Sequence, residues 1–158
     1  MVRPWSIPPT TANNRLNLRP IGALEARAIP GTDSIGLGPV GPVFSPDGQS
    51  IAFFNPGDGT LKRIAVNGGK ATTIGPVGTT IPSGMSWSAD GIVIAQRGGI
   101  VRFSRTGGTP EQIVKVEADE AASRPHMLPG GDAILFTLTK GNEDRRGDLK
   151  RLVPPTKP

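Results

Sequence analysis

The residues of this chain that are able to do chemistry are few and widely spaced. Asp47 and Asp90 recur in two related stretches, "FSPDGQSIAFF" (Phe44 to Phe54) and "WSADGIVIAQ" (Trp87 to Gln96). Two carboxylates brought together would supply a general acid and a general base. A third stretch of the same shape, "MLPGGDAILFT" (Met127 to Thr137), puts Gly130 or Gly131 where the aspartate would stand. A turn tolerates that exchange and a repeated catalytic acid does not, so both aspartates read as turn residues. Proline ahead of the aspartate presets the first turn angle, and glycine after it supplies the positive φ of a tight hairpin.

The remaining candidates are weaker. His126 is the only histidine, which excludes multi-histidine metal centres and paired-histidine chemistry. It stands in "RPHMLPGG", at an expected inner strand, where a lone histidine is packed or hydrogen-bonded. "GMSWS" (Gly84 to Ser88) has Gly-x-Ser without the closing glycine of a nucleophile elbow. "NGGKATT" is similar to a phosphate loop, but Ile64 occupies the first glycine position and Ala71 replaces the Ser or Thr. "RGD" (Arg146 to Asp148) is short enough to arise by chance. With no cysteine, thiol catalysis, disulfides and thiolate metal sites are excluded. The expectation is therefore no catalytic, cofactor-binding or metal-binding residue, no cofactor, and no enzymatic activity in the isolated chain.

Composition indicates what must position these residues. Twenty-two glycines and 17 prolines in 158 residues are about twice the average share, which disfavours long helices and favours short strands joined by tight turns. The formal net charge of +5 comes from scattered basic residues, and aromatic residues make up only 4% of the chain. That pattern gives no stacking platform for bases, so no nucleic-acid partner is expected. No run approaches the ~20 apolar residues of a membrane span, and "MVRPWSIPPTTANNR" lacks the apolar core of a signal peptide.

The turns punctuate a repeat. "PVFS", "QSIAFF", "TLKRIAV" and "KATTI" make one four-strand unit, and "GMSWS", "IVIAQ", "IVRFS" and "TPEQIV" make the next. Asp47 and Asp90 stand 43 residues apart, the length of one four-stranded blade. "GDLKRL" (Gly147 to Leu152) matches "GTLKRI" (Gly59 to Ile64) about two periods earlier. The expected organisation is an irregular lead-in over 1–14, repeats over 15–153 and a tail over 154–158. Within the repeats, 15–40 is a partial blade made of outer strands, 41–79 and 80–123 are full blades, and 124–153 is partial. "SIAFF" and "AILFT" are expected to be buried on both faces. The fold class is all-β, an incomplete β-propeller of four-stranded antiparallel blades.

The aromatic, Ser-Pro-Asp-Gly and following "IAF" strand resemble the TolB-like or WD-like β-propeller repeat. More narrowly, "LRPIGALEARAIPGTDS" with "PVFSPDGQSIAFF" and "LPGGDAILFT" resembles the propeller of bacterial membrane-bound serine/threonine protein kinases. That resemblance implies a binding or sensing module for a protein or small ligand, placed on the extracytoplasmic or periplasmic side. The alternative is a regulatory piece of a larger enzyme, a kinase or a serine peptidase. An open arc also leaves terminal blade faces without neighbours, so the expectation is either self-association through those faces or a need for missing neighbouring blades.

Overall fold

A computed structural model describes residues 13–141 and 148–152, and every regular element among them is a strand. The N-terminal part holds four two-residue strands: β1 (Asn13–Asn14), β2 (Asn17–Leu18), β3 (Arg27–Ala28) and β4 (Ser34–Ile35). They pair antiparallel, β1 with β4 and β2 with β3. The expected irregular lead-in therefore yields to pairing at Asn13; residues 1–12 and the tail lie outside the described residues. Two four-stranded antiparallel meanders follow. The first is β5 (Val40–Phe44), β6 (Ser50–Asn55), β7 (Thr60–Ala65) and β8 (Thr72–Pro76); the second is β9 (Gly84–Ser88), β10 (Gly91–Gln96), β11 (Gly99–Phe103) and β12 (Glu111–Lys115). The third sheet has β13 (Glu120–Met127), β14 (Ile134–Lys140) and β15 (Asp148–Leu152). The "GDLKRL" match therefore becomes the third strand of its sheet, as "GTLKRI" is of the first.

Side chains alternate between the faces of a strand, and each central strand feeds two different cores. Ile51 and Phe53 of β6 pack with Ile64 and Ile29 of the N-terminal segment, and Leu16 and Leu18 close that layer. Ala52, from the other face of β6, and Leu61 pack against Ile92, Ile94, Val101 and Phe103 of the second sheet. Val93 and Ala95, on the opposite face of β10, join Ile134 and Phe136 of the third. The sheets thus stack as layers with one core at each boundary. A strand between two layers must be apolar at every position, and "SIAFF" is, as expected, buried from Ile51 through Phe54.

"AILFT" departs from that expectation. Ile134 and Phe136 are buried, but Leu135 between them is 37% exposed. Its face of β14 has no further layer among the described residues. His126, paired across the strands with Leu135, is exposed on the same face instead of packed.

Two glycines show different constraints at equivalent turns. Gly48 closes the first hairpin with φ 69° and open space around it, donating its N–H to the Ser45 carbonyl at 2.8 Å. In the second copy the loop is only Ala89 and Asp90, because Gly91 already pairs with Ser88 at the start of β10. A Cβ on Gly91 would lie 2.2 Å from the Phe103 carbonyl oxygen, so strand proximity, not turn geometry alone, excludes a side chain there.

Candidate functional site

In a meander, the first-to-second and third-to-fourth strand connections emerge at the same end of the sheet. That end carries the turns of Asp47 and Asp90 together with the Ser104–Thr106 loop after β11. Between the first two sheets it opens into a cleft of about 850 Å3, lined by Asp47, Asp90, Arg63, Arg105, Trp87 and several hydroxyl side chains. A smaller recess of about 260 Å3 shares Arg63, Trp87 and Arg105 and extends outward to Thr72 and Thr73 of β8. Together they form one groove running from the inner turns toward the outer edge of the first sheet.

The inner end is preorganised by a local network. The Ser45 hydroxyl, itself buried, donates to Asp47 Oδ1 at 2.5 Å and accepts the Ser50 N–H at 2.9 Å. Asp47 Oδ1 also accepts the Gln49 N–H at 3.0 Å. The Ser45 bond, then the Gln49 N–H and to a lesser degree the nearby Arg105 guanidinium, hold the Asp47 carboxyl below its ordinary range. The second turn is wired differently: the Asp90 N–H donates to Ser88 Oγ at 3.2 Å. The Asp90 carboxylate instead lies against the third sheet's turn, where a Cβ on Gly131 would overlap it. Gly131 repeats the Gly48 geometry, with φ 73° and an N–H bond to the Leu128 carbonyl, so Gly130 is the counterpart of Asp47.

The two aspartates thus serve as turn residues, as expected, but they also flank one cleft. His126 lies away from it on the third sheet's open face. Ser86 of "GMSWS" is half-buried in β9, and its hydroxyl accepts the Met127 N–H at 3.3 Å, joining the second sheet to the third. The glycines of "NGGKATT" have a similar structural use. The Gly69 N–H bonds the Pro30 carbonyl, as Gly108 in the next sheet bonds Ile74, so each third turn latches onto the preceding layer. Arg146 and Gly147 of "RGD" lie outside the described residues, and Asp148 begins β15. Among the described residues no cluster of three potential metal ligands occurs.

Arg63 and Arg105 were not singled out from the sequence. Arg63 shares its repeat position with Arg102 and Arg151, which marks it only as part of a strand, and Arg105 has no arginine counterpart in the first blade, so a search for repeated residues does not bring the two together. The usable signal was topological: the loop carrying Arg105 leaves its sheet at the same end as the aspartate turns.

No protein-family model matches the chain, and no curated protein matches it in sequence. Solved structures do match. A gluconolactonase from Xanthomonas campestris aligns with 91% of this chain and 46% of its own, at a TM-score of 0.65 and 19% identity. TolB from Acinetobacter baumannii aligns over 90% of this chain and 38% of its own (TM-score 0.65, 17% identity). The chain folds as part of a β-propeller. An oligogalacturonate lyase from Vibrio parahaemolyticus also matches, over 89% of this chain and 45% of its own, with a TM-score of 0.59 and 10% identity. This chain spans less than half the length of each of these propellers. The TolB-like resemblance of its repeats is thus supported at the level of fold.

The expectation that the chain is not an enzyme is corrected by the same structures. Two of the similar propellers are enzymes, a gluconolactonase and a lyase. The linear motifs whose absence suggested inactivity belong to other folds. A propeller presents polar side chains from separate loops on a rigid scaffold, so reactive groups need no sequence signature.

Proposed function

We propose that this propeller segment is a ligand-recognition module that works through the groove between its first two blades. The observation that carries the proposal is the convergence in that groove of the Asp47 carboxylate, two guanidiniums and the half-buried Trp87, with the Asp90 turn on its rim. A cleft of this size, with a few directed polar groups and an aromatic wall, suits a small ligand or a short segment of a larger one. The turn network holds Asp47 in place before any ligand arrives, which lowers the ordering cost of binding.

The groove reading is tested by recording backbone and indole NMR signals while a panel of neutral sugars, sugar acids, acidic peptides and basic peptides is added. The expected outcome is a saturable shift of the Trp87 indole, assigned through Trp87→Phe, together with the amides around Asp47 and Arg105. Ligands that shift only the His126 and Leu135 face would overturn the groove assignment.

A regulatory role for a catalytic domain carried elsewhere is the second reading. It is favoured by the kinase-propeller resemblance of "LRPIGALEARAIPGTDS", which supplies Leu18 and Ile29 to the layer over the first sheet. Expression beside the neighbouring reading frame, followed by assay of any catalytic domain with and without this segment, tests it. An extracytoplasmic location is part of the same proposal, tested by cell fractionation. Among the described residues no helix is long and apolar enough to cross a membrane.

A further inference from the structure

On the groove reading, the hydrogen-bonding groups along the cleft are separated by type. Arg63 and Arg105 are donors only, with five N–H groups each. Both are exposed, both line the wall shared by the two recesses, and neither forms an ion pair among the described residues. Asp47 and Asp90, acceptors only when ionised, stand at the inner end. Asp47 Oδ1 already takes two bonds, while Oδ2 accepts none among the described residues. Ser104 and Thr106, 3.0 Å apart through their hydroxyls, line the same two recesses and can both donate and accept. Trp87 is half-buried, packing on the core of the second boundary while also lining the groove.

A ligand that satisfies this wall must carry an oxyanion for the guanidiniums and hydroxyl donors for the Asp47 carboxylate. It also needs a weakly polar ring face for the indole. We propose that the groove takes a small polyhydroxylated oxyanion, a sugar acid or a sugar phosphate. The oxyanion lies between Arg63 and Arg105, where charge-assisted bonds are strongest. The ring hydroxyls reach Asp47 Oδ2, and the ring face lies on Trp87. A neutral sugar leaves the guanidiniums without an acceptor, and an inorganic anion leaves the Asp47 carboxylate without a donor.

Calorimetric titration of the purified chain at low ionic strength with glucuronate, glucose 6-phosphate and glucose tests this inference, with Trp87 followed by NMR. The expected result is that at least one of the two anions binds, with the tighter one identifying the source of the oxyanion. Glucose should bind about 10-fold or more weakly, the loss expected for charge-assisted hydrogen bonds. Arg105→Met and Arg63→Met should each weaken the anion about 5-fold or more without changing the melting temperature, since neither side chain is in a core. Glucose binding as tightly as the anions, with Trp87 shifted, would overturn the oxyanion assignment and leave the groove reading standing. An anion whose affinity is unchanged in both arginine variants would do the same. Binding of an acidic peptide in the groove, with none of the three small probes bound, would also refute the inference while keeping the groove. If no ligand of the wider panel shifts Trp87, both fall together.

Discussion

Val93 and Leu135 stand one on β10 and one on β14, each directed away from the preceding sheet. Val93 is fully buried because the third sheet covers it, while Leu135 is 37% exposed because nothing described lies beyond. The two strands look alike as sequence, "GIVIAQ" and "ILFTLTK", and their difference is one of position in the stack. What separates them is the presence of a neighbour, which Leu135 itself does not record and which shows only in Thr137 and Thr139, the polar residues that share its face. The N-terminal side shows the complementary solution: Leu16, Leu18 and Ile29, contributed by a segment of short ribbons, give the first sheet the cover that the third lacks.

The largest expected effect sharpens this contrast. Ile94, fully buried at the boundary of the first two sheets, should lose about 2–5 kcal/mol of unfolding free energy on Ile94→Ala, through lost transfer energy and the residual cavity. Leu135→Ala should cost about 1–2 kcal/mol, because over a third of its area is already in water. Urea denaturation of both variants measures the ratio. Equal losses would mean that Leu135 is covered in solution, which is the outcome if copies of the chain associate through this face. Sedimentation over a range of concentrations separates the cases: self-association is the expected behaviour of the isolated chain, and Leu135→Glu should abolish it. A monomer at every concentration would show that the open face needs no partner.

The same contrast separates what the sequence displays from what only packing creates. The blades, their strands and the aspartate hairpins could be seen in the sequence because glycine and proline punctuate it at nearly the blade period. The sequence reads as an irregular lead-in up to Asn14, whereas Asn13 and Asn14 already pair with Ile35 and Ser34. Two-residue strands leave too little pattern to detect. The groove was hidden for a different reason. Asp47 is visible as a turn residue, but Arg105 reaches it from the second sheet only after the two sheets stack, and its repeat position does not correspond to that of Arg63.

A smaller effect distinguishes two glycines that the sequence makes equivalent. Gly91→Ala forces a Cβ into the Phe103 carbonyl at the covered boundary, at φ 132°, and should cost about 1–3 kcal/mol in strain alone. Gly48→Ala meets open space at φ 69° and should cost about 1 kcal/mol, the penalty of a left-handed alanine. Thermal melts of the pair test whether close approach or turn angle is the stronger constraint. If Gly48→Ala is the more damaging, the packing explanation for Gly91 fails.

The smallest expected effect is electrostatic and lies on the rim of the covered boundary, where Arg105 of the second sheet reaches toward the Asp47 turn of the first. The Asp47 carboxyl is held below its ordinary value mainly by the Ser45 hydroxyl, next by the Gln49 N–H, and to a lesser degree by Arg105. A carboxyl whose folded pKa is depressed supports the native turn above its unfolded value of about 3.9 and loses that support as the pH falls through the folded value. The window therefore lies at and below the ordinary aspartate range, and stability at neutral pH should not respond to it. Side-chain NMR should place the Asp47 midpoint below the ordinary value. Ser45→Ala should move it upward, and Arg105→Met should move it upward by less, because the guanidinium contributes only a screened charge across an exposed rim. A larger shift from Arg105→Met than from Ser45→Ala would mean that the two sheets are coupled through charge at this rim, and the turn's own hydrogen bonds would no longer account for the position of Asp47.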